Sequence, residues 1–380
     1  MPKTVAVVGT RGYPSYYGGF ETAVRKIAPF LTDKGWDVNV YCRPGSTKDD
    51  DAARDPRVRT TTTPGLESKS LSTLSFGLTS VLHCLREKPD VALVMNVANG
   101  FWLPLLRLRG IPTVVNVDGI EWERAKWNGF AKLVFKLGAR LTARFGTILV
   151  SDSVEIQRRW KVDFGRDSLF IPYGGELSVP LEVVPGLDHD SYVLMVARFV
   201  PENTVAEFFE AVEDIAREHP VVIVGSSGYR GSLDEDVKAL SARHPNVTWL
   251  GHLSDDNKLL SLWQHAGVYF HGHSVGGTNP ALVQAMACGA PVVARRTAYN
   301  SEVLDTPEHL VDPEPLAIGR ALCRMLSDHD LRSKARQANK ERAASHYNWN
   351  DVCGQYEQAL MAATGPARKM ARLLPVVHAQ

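Results

Sequence analysis

The sequence predicts an α/β fold of two Rossmann-like lobes, and three observations carry that prediction. Short apolar runs alternate with amphipathic stretches, the alternation restarts near mid-chain, and a segment rich in proline and glycine separates the two starts. Strands covered on both faces by helices read as unbroken apolar runs, and strand–helix alternation reads as a parallel, doubly wound sheet. The length agrees: 380 residues at about 150 per domain leads to two domains.

In the first half the apolar runs are 5–8, 38–41, 91–95, 113–117 and 147–150, with helical periodicity over 21–34 and 74–87. In the second half strands are expected at 192–196, 221–224, 247–250, 268–271 and 291–294, and helices at 202–218, 234–243 and 281–287. The segment 171–191, with Pro172, Pro180, Pro185, Gly174, Gly175 and Gly186, reads as the linker. Residues 46–63, with an aspartate triplet and a threonine run, read as a polar surface loop. A helix over 351–363 is stopped by Gly365 and Pro366, and the tail beyond carries Arg368, Lys369 and Arg372 but no acid. The expected division is a first lobe over 1–175, completed by the helix at about 351–363, and a second lobe over 190–345.

Hydrophobic residues make up 44% and charged residues 22%, which fits a globular chain and excludes a wholly disordered one. Lys plus Arg is 43 and Asp plus Glu is 42, so no global field recruits nucleic acid, and no nucleic-acid partner is expected. Cys42, Cys84, Cys288, Cys323 and Cys353 form no C-x-x-C pair, which argues against a disulfide framework or a cysteine-built zinc site and for a reducing compartment. The first residues read as a buried strand rather than a secretory signal, and no apolar stretch is long enough to span a bilayer. A cytoplasmic protein is expected; the oligomeric state is left open.

Five segments carry chemistry. Residues 10–22 follow the first strand and hold Arg11, Gly12, Tyr13, Tyr16, Tyr17, Gly18, Gly19 and Glu21. They form a flexible turn into a helix N-terminus, which suits an anionic or polyhydroxyl ligand. The spacing is not G-x-G-x-x-G, so no dinucleotide site is indicated. Residues 116–127 place Asp118 at a strand's C-terminal end, where open α/β sheets put their ligands, with Glu121, Trp122 and Glu123 behind it. Asp118 reads as functional, able to orient a hydroxyl or take its proton, and Glu123 as a solvated acid; a core tryptophan is the alternative at Trp122. Lys132, Lys136, Arg140 and Arg144 recur at i, i+4 beside Phe130, Leu133, Leu137, Leu141 and Phe145. This helix lies against an anionic membrane surface, or it is an ordinary solvated face over a core stripe; the pattern leaves both open.

Arg198, just past a strand of the second half, offers charged planar donors to a pyrophosphate, or else pairs with Glu202. The richest segment is 270–293. A strand ends at His271, and His273, Gly276, Gly277, Thr278 and Asn279 lead into Pro280. Asn279 suits an N-cap and Pro280 the first helical position, so the turn delivers a helix N-terminus able to cradle phosphates, with Gln284 in reach of a ribose. A metal held by the two histidines is the weaker reading, because no carboxylate or cysteine stands at ligand spacing.

Taken together, GTRGYPSYYGGFET, VDGIEWERAKW, ARFVPEN and HGHSVGGTNPALVQAMACG resemble the retaining glycosyltransferases of glycosyltransferase family four, in their rhamnosyltransferase-type subgroup, from residue 3 to about 360. The resemblance implies the GT-B fold: two Rossmann-like lobes with an interdomain cleft, and a C-terminal helix crossing back to the first lobe. It implies a metal-independent hexosyl transfer with no cofactor beyond a nucleotide-sugar co-substrate, here dTDP-L-rhamnose. The acceptor is then a glycan or lipid-linked saccharide in cell-surface polysaccharide synthesis, at the inner face of the membrane if the basic helix docks there. A UDP- or GDP-sugar donor is the alternative, and a non-catalytic nucleotide-sugar-binding protein is the alternative of another class. The implied site takes Asp118 and Arg198 as catalytic and Arg198, His271, His273, Gly276, Gly277, Thr278, Asn279 and Gln284 as donor-binding. Tyr17, Gly18, Gly19, Glu21, Glu121 and Trp122 are then acceptor-binding. The wider family has a Glu-seven-residues-Glu signature and an Arg–Lys pair on the pyrophosphate. Here Gly276 and Gln284 stand for the two glutamates, and Asn203 stands for the lysine, so a further basic partner is expected, with His273 the choice.

Overall fold

The structure is a computed structural model that describes residues 2–16, 18–47, 50–67, 72–124, 127–176, 179–228 and 231–365. The chain divides into two compact units, one ending at Tyr173 and resumed at Trp349, the other Gly174–Asn348.

The first unit runs β1 Thr4–Val8, α1 Gly19–Asp33, β2 Asp37–Cys42, β3 Arg59–Thr62, α2 Ser72–Glu87, β4 Val91–Met95, α3 Leu103–Leu108, β5 Thr113–Asn116, α4 Gly129–Phe145, β6 Ile148–Ser151, α5 Val154–Phe164 and β7 Leu169–Phe170. A 3-10 turn, Val97–Trp102, precedes α3. All seven strands are parallel, in the order β3-β2-β1-β4-β5-β6-β7. The order reverses at β1 and β4, and ligands of such sheets bind beyond the strand ends at that switch point.

The expected loop at 46–63 is corrected by β3, which pairs with β2 from Asn39↔Arg59 to Cys42↔Thr62. Its threonines are β-branched and fit an edge strand that is apolar on neither face. Arg59 Nε donates to Asp37 Oδ1 at 2.8 Å across the pair, and Thr61 Oγ1 to Asn39 Oδ1 at 3.0 Å. Reading apolar runs alone could not find such a strand.

The second unit runs β8 Val193–Val196, α6 Val205–Ile215, β9 Val221–Val224, α7 Ser232–Arg243, β10 Val247–Trp249, α8 Asp256–His265, β11 Val268–His271, α9 Pro280–Ala287, β12 Val292–Arg295, α10 Ala298–Leu304, β13 Leu310–Val311, α11 Pro315–Ser327 and α12 His329–His346. Its parallel order is β10-β9-β8-β11-β12-β13. Alternate residues of one strand enter two different cores: Val193 and Met195 face the α6 and α11 side, Leu194 the α8 and α9 side. That period of two explains why these runs are apolar at every position. The last helix, α13 Trp349–Thr364, belongs to the first unit and packs against α1, with Tyr356, Leu360 and Ala363 in that core.

Candidate active site

The first unit gathers polar groups where β1, β4, β5 and β6 end. Gly9, after β1, has φ +97°, and a Cβ there would stand 2.2 Å from the Met95 carbonyl oxygen, so only glycine lets the turn approach β4. Asn96 follows β4 and Asp118 follows β5, with φ +72° and +59°. Non-glycine residues hold this left-handed region at some cost in strain, and Asn and Asp do so most readily. Asn96 Nδ2 donates to Asp118 Oδ2 at 3.3 Å, and the Asp118 amide donates to Asn116 Oδ1 at 2.9 Å. Asn116 Nδ2 in turn donates to the Tyr356 hydroxyl at 2.7 Å. A hydrogen-bonded chain thus runs from α13 through β5 to the Asp118 backbone amide, and Asn96 holds one oxygen of its half-buried carboxylate.

Carboxylates cluster here. Burial first, then the charges of Asp152 and Asp118, with Glu21 contributing less, push the Tyr173 hydroxyl well above its ordinary pKa. Glu21, in the first turn of α1, is buried, and its Oε1 accepts from the Arg11 amide at 3.1 Å and the Thr10 hydroxyl at 3.5 Å. It braces the turn after β1 from below. Gly18 is the N-cap with no side-chain bond, and Gly19 opens the helix. Tyr17 lies outside the described residues, as do Lys126 and the basic tail.

Glu121 and Trp122 sit in a 3-10 turn and are both buried. Glu121 Oε2 accepts from Trp127 Nε1 at 2.8 Å, and Oε1 is 2.7 Å from Arg124 Nε. Trp122 sets its ring edge-on to Trp160 and Phe164, centroids 6.5 and 5.6 Å away. Trp122 therefore packs against α5, as the alternative of a core tryptophan expects. Glu123 is exposed and pairs with Arg159. Lys132, Lys136, Arg140 and Arg144 all lie on α4.

The second unit builds its candidate site from three loops at the C-terminal ends of β8, β11 and β12. Two of these loops are zipped together. Ser274 gives both its amide and its hydroxyl to the Glu202 carbonyl at 2.8 Å, and the Thr204 hydroxyl donates to the Gly272 carbonyl at 2.6 Å. A Cβ on Gly272 would stand 2.2 Å from the Asn203 carbonyl oxygen, so the close approach requires glycine. Asn203 bridges the loops: its Nδ2 donates to the Arg198 carbonyl at 2.7 Å, and its Oδ1 lies 2.6 Å from His273 Nδ1. The Arg198 side chain is exposed and, among the described residues, pairs with no acid; Glu202 is not its partner. Gly276, at φ +96°, turns the chain into α9, and Asn279 caps it by accepting from the Ala281 amide at 2.9 Å. Gly277 and the buried Thr278 stand just before that N-terminus. Gln284 is held to the backbone of Glu176, which donates to its Oε1 at 3.0 Å and accepts from its Nε2 at 2.8 Å.

His271 lies beneath this rim, 4% exposed, with Nδ1 3.0 Å from the Tyr269 hydroxyl. Burial lowers its pKa to about 3, so it is neutral at ordinary pH. Its ring lies 6.1 Å from the His273 ring between centroids, tilted by 52°. Among the described residues no three His, Cys, Asp or Glu side chains gather as a metal-holding group.

Residues 18–172 match the family described as glycosyl transferase 4-like domain, and residues 184–342 match the glycosyl transferases group 1 family. Both halves of the chain are glycosyltransferase domains. Sucrose-phosphate synthase from Thermosynechococcus elongatus superposes with a TM-score of 0.78 at 20% identity, covering 95% of this chain and 100% of that one. Anabaena HepE, solved in complex with UDP, superposes with a TM-score of 0.70 at 16% identity over 95% and 100%. The fold is thus GT-B. The O-antigen chain mannosyltransferase B of Escherichia coli is 24% identical over 188 residues, 46% of this chain and 48% of that relative, so the match spans about half the relative's length.

Three residues of these two domains carry no expectation from the sequence. Asn96 and Arg295 both stand one step past or at the end of a central strand, the rule that singled out Asp118, and could have been found by it. Arg295 sends Nη1 to the Thr204 hydroxyl at 3.0 Å, a second cation beside the Asn203 loop. Asn300, buried, donates to the carbonyls of His273 and Arg295 at 2.9 and 2.8 Å and fixes both loops; nothing in its local sequence marks it.

Proposed function

We propose that the chain is a retaining, metal-independent glycosyltransferase. The second unit holds the diphosphate of a nucleotide-sugar donor, and the first holds a glycan or lipid-linked saccharide acceptor. The observation that carries this reading is the turn before α9: Gly276 at φ +96°, the Asn279 cap, the Asn203–His273 bridge, and an exposed Arg198 that pairs with no acid among the described residues. A helix N-terminus contributes only about 0.3–2 kcal/mol toward an anion, too little to hold a diphosphate alone. Arg198 and Arg295 supply the cationic charge that Asn203, standing where a lysine would, does not.

In the reaction the acceptor oxygen bonds to the anomeric carbon as the bond from that carbon to the β-phosphate oxygen breaks. The acceptor proton passes to Asp118 or to the departing phosphate. Negative charge grows on that phosphate, and preorganised donors aimed at it lower the barrier. Asn96 and Asn116 hold Asp118 in place. Gln284, its amide held at both ends by the Glu176 backbone, has at most its second N–H and a second oxygen lone pair left for a ribose hydroxyl, a weaker partner than a carboxylate.

We assign the donor as dTDP-L-rhamnose. Gly276 offers no carboxylate to the hydroxyls of a glucose-like sugar, and a 6-deoxy sugar of another configuration dispenses with it. The UDP bound by HepE favours a UDP-sugar as the second reading. Transfer measured across dTDP-, UDP- and GDP-sugars tests the choice: use of a UDP-hexose with no use of dTDP-rhamnose overturns it.

A further inference from the structure

The helix α4 is built inside out. Its buried face is made of small residues, Gly138, Ala139, Thr142 and Ala143. Its large apolar residues point away from the protein: Phe130 is 76% exposed, Leu133 61% and Leu137 44%. On a helix, positions 130, 133 and 137 form one stripe. Lys136, Arg140 and Arg144, spaced by four, run beside it, with Lys132 further round. The core-stripe reading therefore fails at Phe130, Leu133 and Leu137, which lie outside, while Leu141 and Phe145 are half-buried.

The surface continues onto α3. Leu108 at its end is 85% exposed, flanked by the exposed Arg107 and Arg109, and Arg107 Nη1 donates to the Arg144 carbonyl at 3.3 Å, which brings the two helix ends together. Among the described residues none of Lys132, Lys136 and Arg140 is paired with an acid, and the sequence holds no acid between Glu123 and Asp152. Scattered apolar residues on a surface need no explanation, but a contiguous stripe rimmed by one sign of charge marks an interaction site.

We propose that α4, with the end of α3, docks on an anionic lipid bilayer, the apolar stripe entering the headgroup boundary and the cations meeting lipid phosphates. A second copy of the chain is disfavoured as the occupant, because self-pairing of this face sets cation against cation. No helix among the described residues is long and apolar enough to cross a bilayer, so the contact is peripheral. The site loops come with it. A Cβ on Gly100 would stand 2.1 Å from the Gly138 carbonyl oxygen, so α4 is clamped to the 3-10 turn that begins directly after Asn96. Docking would hold the Asn96–Asp118 pair at a fixed distance from the bilayer, where a lipid-linked acceptor presents its sugar. This inference locates the proposed acceptor, but vesicle binding is measured without any transfer reaction, so the two stand or fall separately.

The experiment is co-sedimentation of the full chain with vesicles of phosphatidylcholine alone or with 30% phosphatidylglycerol (~0.1 M salt). Expected is binding to the anionic vesicles only, weakened by salt. The double variants Lys136→Gln/Arg140→Gln and Leu133→Ser/Leu137→Ser should each lower the partition coefficient at least roughly tenfold, with circular dichroism unchanged. Equal binding to both vesicle types, no binding, or binding that survives both double variants overturns the proposal. So does a loss of self-association, rather than of vesicle binding, in the leucine variant.

Discussion

Arg198 and Asp118 are asked to do different things, and their variants should separate. On the proposed reading Arg198 faces the leaving phosphate, so Arg198→Ala should lower kcat by about 10²-fold or more while thermal unfolding is unchanged, since among the described residues its side chain has no acidic partner to lose. Asp118 faces the acceptor, so Asp118→Asn should lower kcat with little change in donor affinity; equal losses in both would make it a structural residue. His271 makes a pH prediction with a definite sign. Its folded pKa, about 3, lies below the unfolded value near 6.5, so between those limits the unfolded chain binds the extra proton. Its contribution to stability is full above pH 6.5 and is lost as pH falls toward 3. Urea midpoints measured from pH 7 to 4.5 should fall less steeply in His271→Gln than in the parent chain; parallel curves would mean that His271 does not stay neutral in the fold.

At the scale of elements, close approaches decide more than patterns do. The contact of Gly100 with Gly138 leaves no room for a methyl group, so Gly100→Ala should cost about 1–3 kcal/mol and lower Tm measurably. An unchanged Tm would show that α4 yields at this contact. These glycines also explain what the sequence could and could not disclose. The central strands were legible because both of their faces are covered, which forces continuous apolar runs such as 91–95 and 221–224. The cap at Asn279 and Pro280 was legible because capping chemistry is local. β3 was hidden because an edge strand needs no apolar run. Whether Trp122 packs in the core or binds acceptor was hidden because its partners lie on α5, nearly 40 residues away. So was the role of Arg336, which donates from α12 to the carbonyls of Gln264, Ala266 and Gly289 and pairs with Asp190, closing the ends of α8 and α9. No local signal marks a side chain whose partners come from three separate segments.

For the whole molecule, two units with separate cores should respond separately to ligand. A ligand that binds only the folded state stabilises by RT ln(1 + [L]/Kd), about 2.7 kcal/mol at a hundredfold Kd. A nucleoside diphosphate should therefore slow amide exchange in 198–204 and 272–284 of the second unit and leave the β1, β4 and β5 ends of the first unit unchanged; protection confined to the first unit would reverse the assignment of donor and acceptor. The central claim is a transfer that keeps anomeric configuration. It is tested most directly by proton NMR of the first product formed from a nucleotide-sugar and a lipid-linked acceptor. The account predicts that the new glycosidic bond has the anomeric configuration of the donor, with one nucleoside diphosphate released per bond and both lost in Arg198→Ala. An inverted product, or no transfer from any dTDP-, UDP- or GDP-sugar despite tight nucleotide binding, would contradict it.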